Sequence, residues 1–297
     1  MRARWSLALA LLALLALPAS AQEYKRVGQL TIVVDSSRAF PGGFFVVELQ
    51  SRRPLGTLMV SLDGRKYPAL QSKSGLRALV PVPVPSPPGQ RLLGVELYGR
   101  RGRQRITLST RIGERSYPPR AATIPPEKRY LLDQPQVLVE SRRLMALLRG
   151  ISQPAQWNGP FLAPVAAPGS GFGGLRTYAG CKDVEQSRDG TFGEYHRGID
   201  YPVPPGTVVQ APAAGTVLFA GSLTLLGQTL VIDHGLGVVS LLCHLAGLEV
   251  SEGQAVEARA AVGVSGSSGI AADPHVHWGV YVHGIAVDPE LLAKGLE

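Results

Sequence analysis

Short apolar runs broken by turn residues fill positions 29–114, and the pattern predicts strands near 30–34, 44–50, 57–62, 66–70, 78–84, 91–98 and 104–109. Asp63-Gly64 sits between two of them, the two-residue pair that closes a type I′ hairpin. Seven short strands in this span predict an immunoglobulin-like β-sandwich. It carries no Cys-Trp-Cys pattern and no cluster of catalytic residue types, so it reads as a binding or spacer module. Pro118, Pro119, Pro125, Pro126 and Pro135 then make a stiff connector. A helix is expected over 140–149, where the leucines and Met145 fall on one side. From Gly169 onward the chain is again rich in glycine and strand patterns. The expected fold is all-β, with a signal peptide over 1–21, the sandwich over 22–115, a Pro-rich linker and helix over 116–160, and a second β-domain over 161–297.

The first segment does not belong to either fold. Arg2 and Arg4 precede an unbroken Leu/Ala run from Leu7 to Leu17, Pro18 ends it, and Ala19-Ser20-Ala21 offers small residues for cleavage. This is the pattern of a secretory leader cleaved near Ala21, and the run is shorter than the ~20 residues that span a bilayer. No later segment is apolar enough to span one, so a secreted or periplasmic protein is expected. Two cysteines, Cys181 and Cys243, leave one disulfide open in an oxidising compartment, and spacing does not decide it. Strand alternation argues against it, because it places Cys243 opposite His244, toward packing.

Charge adds an asymmetry to the net +8. Residues 22–135 carry 19 Lys/Arg against 8 Asp/Glu, whereas 136–297 carry 9 against 14. The basic half is either a surface for a polyanionic wall polymer or a solvated face with no partner. Nucleic acid is excluded as a partner by export and by the lack of a recognition motif.

Three motifs in the second domain carry chemistry. His196 and Asp200 lie four apart in a segment that Gly198, Pro202, Pro204 and Pro205 keep from being helical, so both project to one side of an extended chain. His244 follows Ser240-Leu-Leu-Cys243. His275 and His277 alternate to one face of a strand. Each motif alone has a plain reading as wet residues on a strand. Together they hold four of the six histidines and one carboxylate. Zinc takes imidazole nitrogen and carboxylate oxygen, and a catalytic site needs three such ligands. No His-Glu-x-x-His motif is present, so a general base must come from histidine.

These motifs resemble the lysostaphin/LytM-type zinc metallopeptidases that cut peptidoglycan peptides. The resemblance runs over about 165–292. It includes His196-x-x-Gly-Ile-Asp200, the stretch from Pro204 to Val217, Gly227 to Gly235, Cys243-His-Leu245, Gly263 to Gly269, Pro274-His-Val-His277 and Val287-Asp-Pro289. It implies an antiparallel β-sheet groove with one Zn²⁺ per chain held by His196, Asp200 and His277. His275 and His244 would be catalytic, the first as general base and the second at the oxyanion or positioning water, with the two residues' roles exchangeable. His234 matches a turn histidine that is not a ligand, and His283 has no assigned role. The substrates implied are peptidoglycan stem or bridge peptides. The alternative is a non-catalytic regulator of cell-wall amidases with the same fold, which usually lacks some of the ligands that are intact here. Where the family commonly reads His-Leu-His-Phe-Glu, this chain has His-Val-His-Trp-Gly, a change on the packing face. Leu242 replaces an aromatic two residues before His244, on what alternation makes the groove face. Residues 180–195 form a polar lead-in to His196 that reads as a rim loop or a tolerated insertion.

Overall fold

The computed structural model describes residues 22–51, 56–72, 75–99, 102–178 and 195–295. The leader, Cys181 and the lead-in to His196 other than Tyr195 lie outside these. Strand is the dominant element, with few and short helices, and the sheets are antiparallel except for one two-stranded parallel pair.

Nine strands make the first unit: β1 (Gln22–Val27), β2 (Leu30–Asp35), β3 (Phe44–Ser51), β4 (Thr57–Leu62), β5 (Arg65–Pro68), β6 (Leu70–Ser72), β7 (Gly75–Pro81), β8 (Gly89–Gly99) and β9 (Gly102–Ile112). They form two sheets, in the orders β1-β2-β3-β7-β6 and β5-β4-β8-β9. Period-2 alternation drives the packing. Leu30, Ile32 and Val34 of β2 and Phe45, Val47 and Leu49 of β3 meet Val60, Leu62, Leu93 and Val95 of the other sheet in one core. Asp63 (φ 47°) and Gly64 (φ 79°) both have left-handed backbone, as the expected type I′ turn demands.

Two elements differ from expectation for physical reasons. β1 is exposed at every position and is held by backbone pairing to β2, so it carries no hydrophobic alternation to read. The expected strand 66–70 breaks after Pro68, which has no N–H for a ladder, and its two pieces join opposite sheets. Part of the basic excess is held internally. The Glu96 carboxylate, 1% exposed, accepts hydrogen bonds from Tyr98 (2.5 Å) and Lys66 (2.9 Å), and Arg103 pairs with it as well. Those bonds lower its pKa to about 2.

The connector 116–135 packs rather than floats. Ile124 is buried, and β10 (Arg120–Ala122) pairs in parallel with β11 (Arg176–Tyr178). The helix α1 (Gln136–Leu148) begins four residues before the expected start, because Pro135 presets helical φ at its N-cap while Leu138 and Val139 stay exposed and add no periodic signal.

The remaining strands are β12 (Ile199–Pro202), β13 (Val208–Gln210), β14 (Gly215–Leu223), β15 (Gly227–Gly235), β16 (Val238–Leu248), β17 (Ala255–Val256), β18 (Ala261–Ser265), β19 (His275–Val282) and β20 (Ile285–Val287), followed by the short helix α2 (Glu290–Ala293). They form a nine-stranded antiparallel sheet whose main path is β12-β19-β16-β15-β14-β17. One face buries Leu242, Val276, Trp278 and Val280 against Phe161, Phe172 and Leu291, and against Phe44, Val46 and Leu79 from the outer face of β3 and β7. An Arg115–Asp288 ion pair (2.7 Å) reinforces this junction. The other face buries Val231, Val239, Leu241 and Tyr281 against Leu144 and Leu148 of α1.

His234 is fully buried with its ring against that of Phe161. Its Nδ1–H donates to the Ala214 carbonyl (2.9 Å), and its Nε2 accepts from the Ser240 hydroxyl (2.8 Å), which in turn accepts from the Trp278 indole (3.1 Å). Burial lowers its pKa to about 4. Folding therefore favours neutral His234. Its contribution is fully present above about pH 6.5 and is lost as pH falls toward about 4, in total about 3 kcal/mol. Denaturant unfolding across that window should show the wild type weakening more steeply than His234→Gln.

Candidate metal and catalytic site

The site forms where β12, β19 and β16 run side by side. Asp200 lies directly opposite His277 on β19, and His277 lies directly opposite Cys243 on β16. Cross-strand partners share a sheet face, so the alternation His-Val-His-Trp sends His275 and His277 to the groove and Val276 and Trp278 into the core. His196 precedes β12 in an irregular turn and is swung onto the same face.

Three donors converge. His196 Nε2 is 3.1 Å from His277 Nδ1 and 3.2 Å from Asp200 Oδ1, and His277 Nδ1 is 2.9 Å from Asp200 Oδ1. A tetrahedral ion with ~2.05 Å bonds requires donors ~3.3 Å apart. The other atoms of the cluster are committed elsewhere. His196 Nδ1–H donates to the Gly171 carbonyl (2.9 Å), fixing the tautomer that aims a bare Nε2 inward, and Arg176 pairs with Asp200 Oδ2 (2.5 Å). One cation among the three donors satisfies all their facing lone pairs at once, so the residues fit a zinc ion. Burial lowers the His196 pKa to about 4 against the pull of Asp200. Burial would raise Asp200, but hydrogen bonds and charge from His196 and His277 outweigh it and hold the carboxyl well below the usual range.

Gly198 explains why glycine stands inside the His196-to-Asp200 motif. A Cβ there would lie 2.6 Å from His277 Cε1 and Nε2 and 2.6 Å from the Trp278 carbonyl oxygen. Only a residue without a side chain lets the His277 ring lie flat over this turn. The need for glycine comes from close approach to another strand, and the motif alone does not reveal it.

His244 and His275 stand next to this trio with ring centroids 4.9 Å apart, and His244 is 6.3 Å from His277 by the same measure. Both use Nδ1–H on backbone carbonyls, His244 to Ser268 (3.0 Å) and His275 to Asp273 (2.8 Å). Each therefore offers an unprotonated Nε2. His244 is buried, and that burial, aided by the neighbouring His275 and His277, lowers its pKa to about 3. His275 is partly open, with Nε2 3.7 Å from Asp200 Oδ1. All five residues picked out in the sequence line one groove of about 360 Å³, walled on one side by Leu144 and Met145 of α1.

Two readings of β16 are corrected here. Strict alternation placed Cys243 and His244 on opposite faces and Leu242 on the groove side. His244 has left-handed backbone (φ 63°), which breaks the period. As a result Leu242 is fully buried in the core, and Leu241 reaches the groove in its place. Cys243 shares the face of His277 through its register, yet it is fully buried as a free thiol, and burial raises its pKa beyond the ordinary thiol range. His283 sits in the β19–β20 turn with φ 51°, its ring 5.6 Å from that of Tyr67, far from the trio in the sheet. Sequence reasoning missed Arg176 and Gly171, which fix the outer atoms of Asp200 and His196. Neither belongs to a motif, and only the fold brings them in.

Residues 194–289 match peptidase family M23. A DD-carboxypeptidase/endopeptidase, Mpg, of Neisseria meningitidis is 37% identical over 98 residues, covering 33% of this chain and 23% of its own length. The peptidoglycan DD-endopeptidase ShyA of Vibrio cholerae is 32% identical over 93 residues, covering 31% of this chain and 22% of its own. The chain thus spans about a quarter of the length of these curated relatives. Among solved structures, a putative peptidase M23 from Pseudomonas aeruginosa superposes with a TM-score of 0.63 at 27% identity, over 88% of this chain and 97% of that one. That agreement extends well beyond the matched domain and takes in the sandwich.

Proposed function

Starting from a chain with an M23 peptidase domain, we propose that it is a zinc-dependent endopeptidase that hydrolyses peptide cross-links or bridges of peptidoglycan in the cell envelope. The observation that carries this reading is the convergence of three donors 2.9–3.2 Å apart beside two histidines with free Nε2 atoms. His196 through Nε2, His277 through Nδ1 and Asp200 through Oδ1 would hold the metal. When bound, zinc supplies a Lewis acid that acidifies water and polarises the scissile carbonyl.

The protein's own groups do the rest. Arg176 and the Gly171 carbonyl keep Asp200 and His196 from rotating away. His275 takes the proton of the attacking water on Nε2 and, once protonated, has Asp200 at 3.7 Å to stabilise the charge. It then returns that proton to the departing amine. His244 stays neutral in its enclosure and orients the water through its Nε2 lone pair. The α1 wall and Leu241 give the groove an apolar side that excludes bulk water and strengthens these interactions.

The test is digestion of purified peptidoglycan with the zinc-loaded protein, followed by mass analysis of the muropeptides. Cross-linked dimers should decline as monomers rise, and a chelator should stop the change. An unchanged muropeptide profile overturns the reading.

A further inference from the structure

A second concavity, about 490 Å³, lies across the Ser267–Gly269 loop from the catalytic groove. The two are neighbours through a single residue, because the Ser268 carbonyl accepts from His244 Nδ1 and Ser268 also lines this cavity. We propose that it is a glycan subsite, taking a neutral N-acetylated hexosamine of the sugar strand whose peptides the groove cuts. The inference rests on the peptidoglycan reading for its biological setting, although the chemistry of the site stands by itself.

Three features carry it. First, Gln136, Gln228, Ser222 and Ser267 line it and bring uncharged side-chain amides and hydroxyls, none of which has a hydrogen-bond partner among the described residues. Such groups match the hydroxyls and acetamide of a sugar. Second, Tyr130 stands at the rim with 62% of its surface exposed, a large ring left in water beside that polar wall. An aromatic ring with one wet face is the natural platform for the C–H face of a pyranose. Third, the charged groups nearby are already committed. Lys128 donates to the carbonyls of Ser267 (2.8 Å) and Ala271 (2.7 Å), and Glu140 accepts from the Thr224 amide (2.7 Å) and hydroxyl (3.0 Å). Both side chains keep their charge, but two of the three Lys128 N–H donors and both Glu140 oxygens are spent within the protein, whereas the wall's uncharged side chains are left to meet a neutral sugar.

The site is also rigid, which lowers the entropy cost of binding. A Cβ on Gly227 would lie 2.1 Å from Ser268 Oγ, and one on Gly269 2.3 Å from the Leu225 carbonyl. The loop and the β14–β15 turn are thus in backbone contact. Ser268 Oγ further donates to the Leu245 carbonyl (2.6 Å) and accepts from the Gln228 backbone N–H (2.9 Å).

The probe is chitotriose, titrated into the full chain and followed by calorimetry, with cellotriose, which lacks acetamides, as the comparison. Saturable binding of chitotriose that exceeds binding of cellotriose is expected. Tyr130→Ala and Gln228→Ala should each weaken it about tenfold. Both residues are partly or largely exposed, and an unchanged melting temperature shows that each variant is folded. Absence of chitotriose binding, equal binding of cellotriose, or binding that both variants retain in full overturns the proposal. Because the readout is binding, it stays informative even if no peptide is cut, so failure here and failure of the peptidase reading are told apart.

Discussion

His277→Ala should lose both its zinc and its activity, the largest effect expected of any single substitution in this chain. His277 is central in the donor cluster, with Nδ1 within 2.9 Å of Asp200 Oδ1 and 3.1 Å of His196 Nε2, so its removal leaves two ligands on one side of the site. A Lewis acid contributes several kcal/mol to a hydrolytic barrier, and its loss corresponds to at least about a thousandfold in kcat/KM. Zinc content by elemental mass spectrometry and hydrolysis of a cross-linked muropeptide dimer are the two readings, and they should fall together. Gly198→Ala sharpens the test because it removes no ligand and acts only by displacing one. Its new methyl group would meet the His277 ring at 2.6 Å, so the ring must rotate and carry Nδ1 out of line. Changes that misplace a ligand in this way cost about 10- to 100-fold in metal affinity. A Gly198→Ala protein with full zinc affinity, or a His277→Ala protein that still hydrolyses the dimer, would mean that the metal sits elsewhere or is not needed.

The sequence made most of this site legible because its chemistry follows period-2 geometry. The His-Val-His-Trp alternation puts two histidines on the groove face and two apolar residues in the core, and the burial of β19 follows it over these four residues before the strand becomes buried on both faces. Strands β2, β3, β4, β7, β8 and β9 of the first unit were legible for the same reason. What escaped was whatever breaks the period or depends on a distant neighbour. At His244, φ of 63° lets consecutive residues share a side, so strand logic misplaced Leu242 and gave Cys243 the wrong sheet face, although Cys243 is packed away as expected. β1 carries no buried residue and hence no pattern. Arg176 lies 24 residues from the carboxylate it pairs with, joined to it by no motif, and it reaches Asp200 because β11 is held beside β10. The sandwich and the peptidase sheet share a core through Phe44, Val46 and Leu79, side chains that alternation alone marks as the outer face of a sheet.

The two groove histidines should separate by the size and kind of their defects. His275→Ala is expected to lower kcat by about 10²- to 10⁴-fold, the usual worth of a positioned proton acceptor, while zinc content stays at one ion per chain. His244→Ala should cost less, about 10- to 100-fold, as expected for a group that orients a reactant without carrying its proton. The asymmetry comes from surroundings, because the two rings have the same tautomer. Protonated His275 would have Asp200 3.7 Å from its Nε2 and partial access to solvent. Protonated His244 would be a buried cation facing His275 and His277, and burial has already lowered its pKa to about 3. A base must bear the proton for the lifetime of the intermediate, and only the first environment supports that. Single-turnover hydrolysis of a muropeptide dimer gives the rate constant of the chemical step free of product release. A larger defect in His244→Ala than in His275→Ala would exchange the two roles. Loss of zinc in His275→Ala would make it a ligand instead, with Asp200, already drawn toward Arg176 through Oδ2, as the donor it displaces.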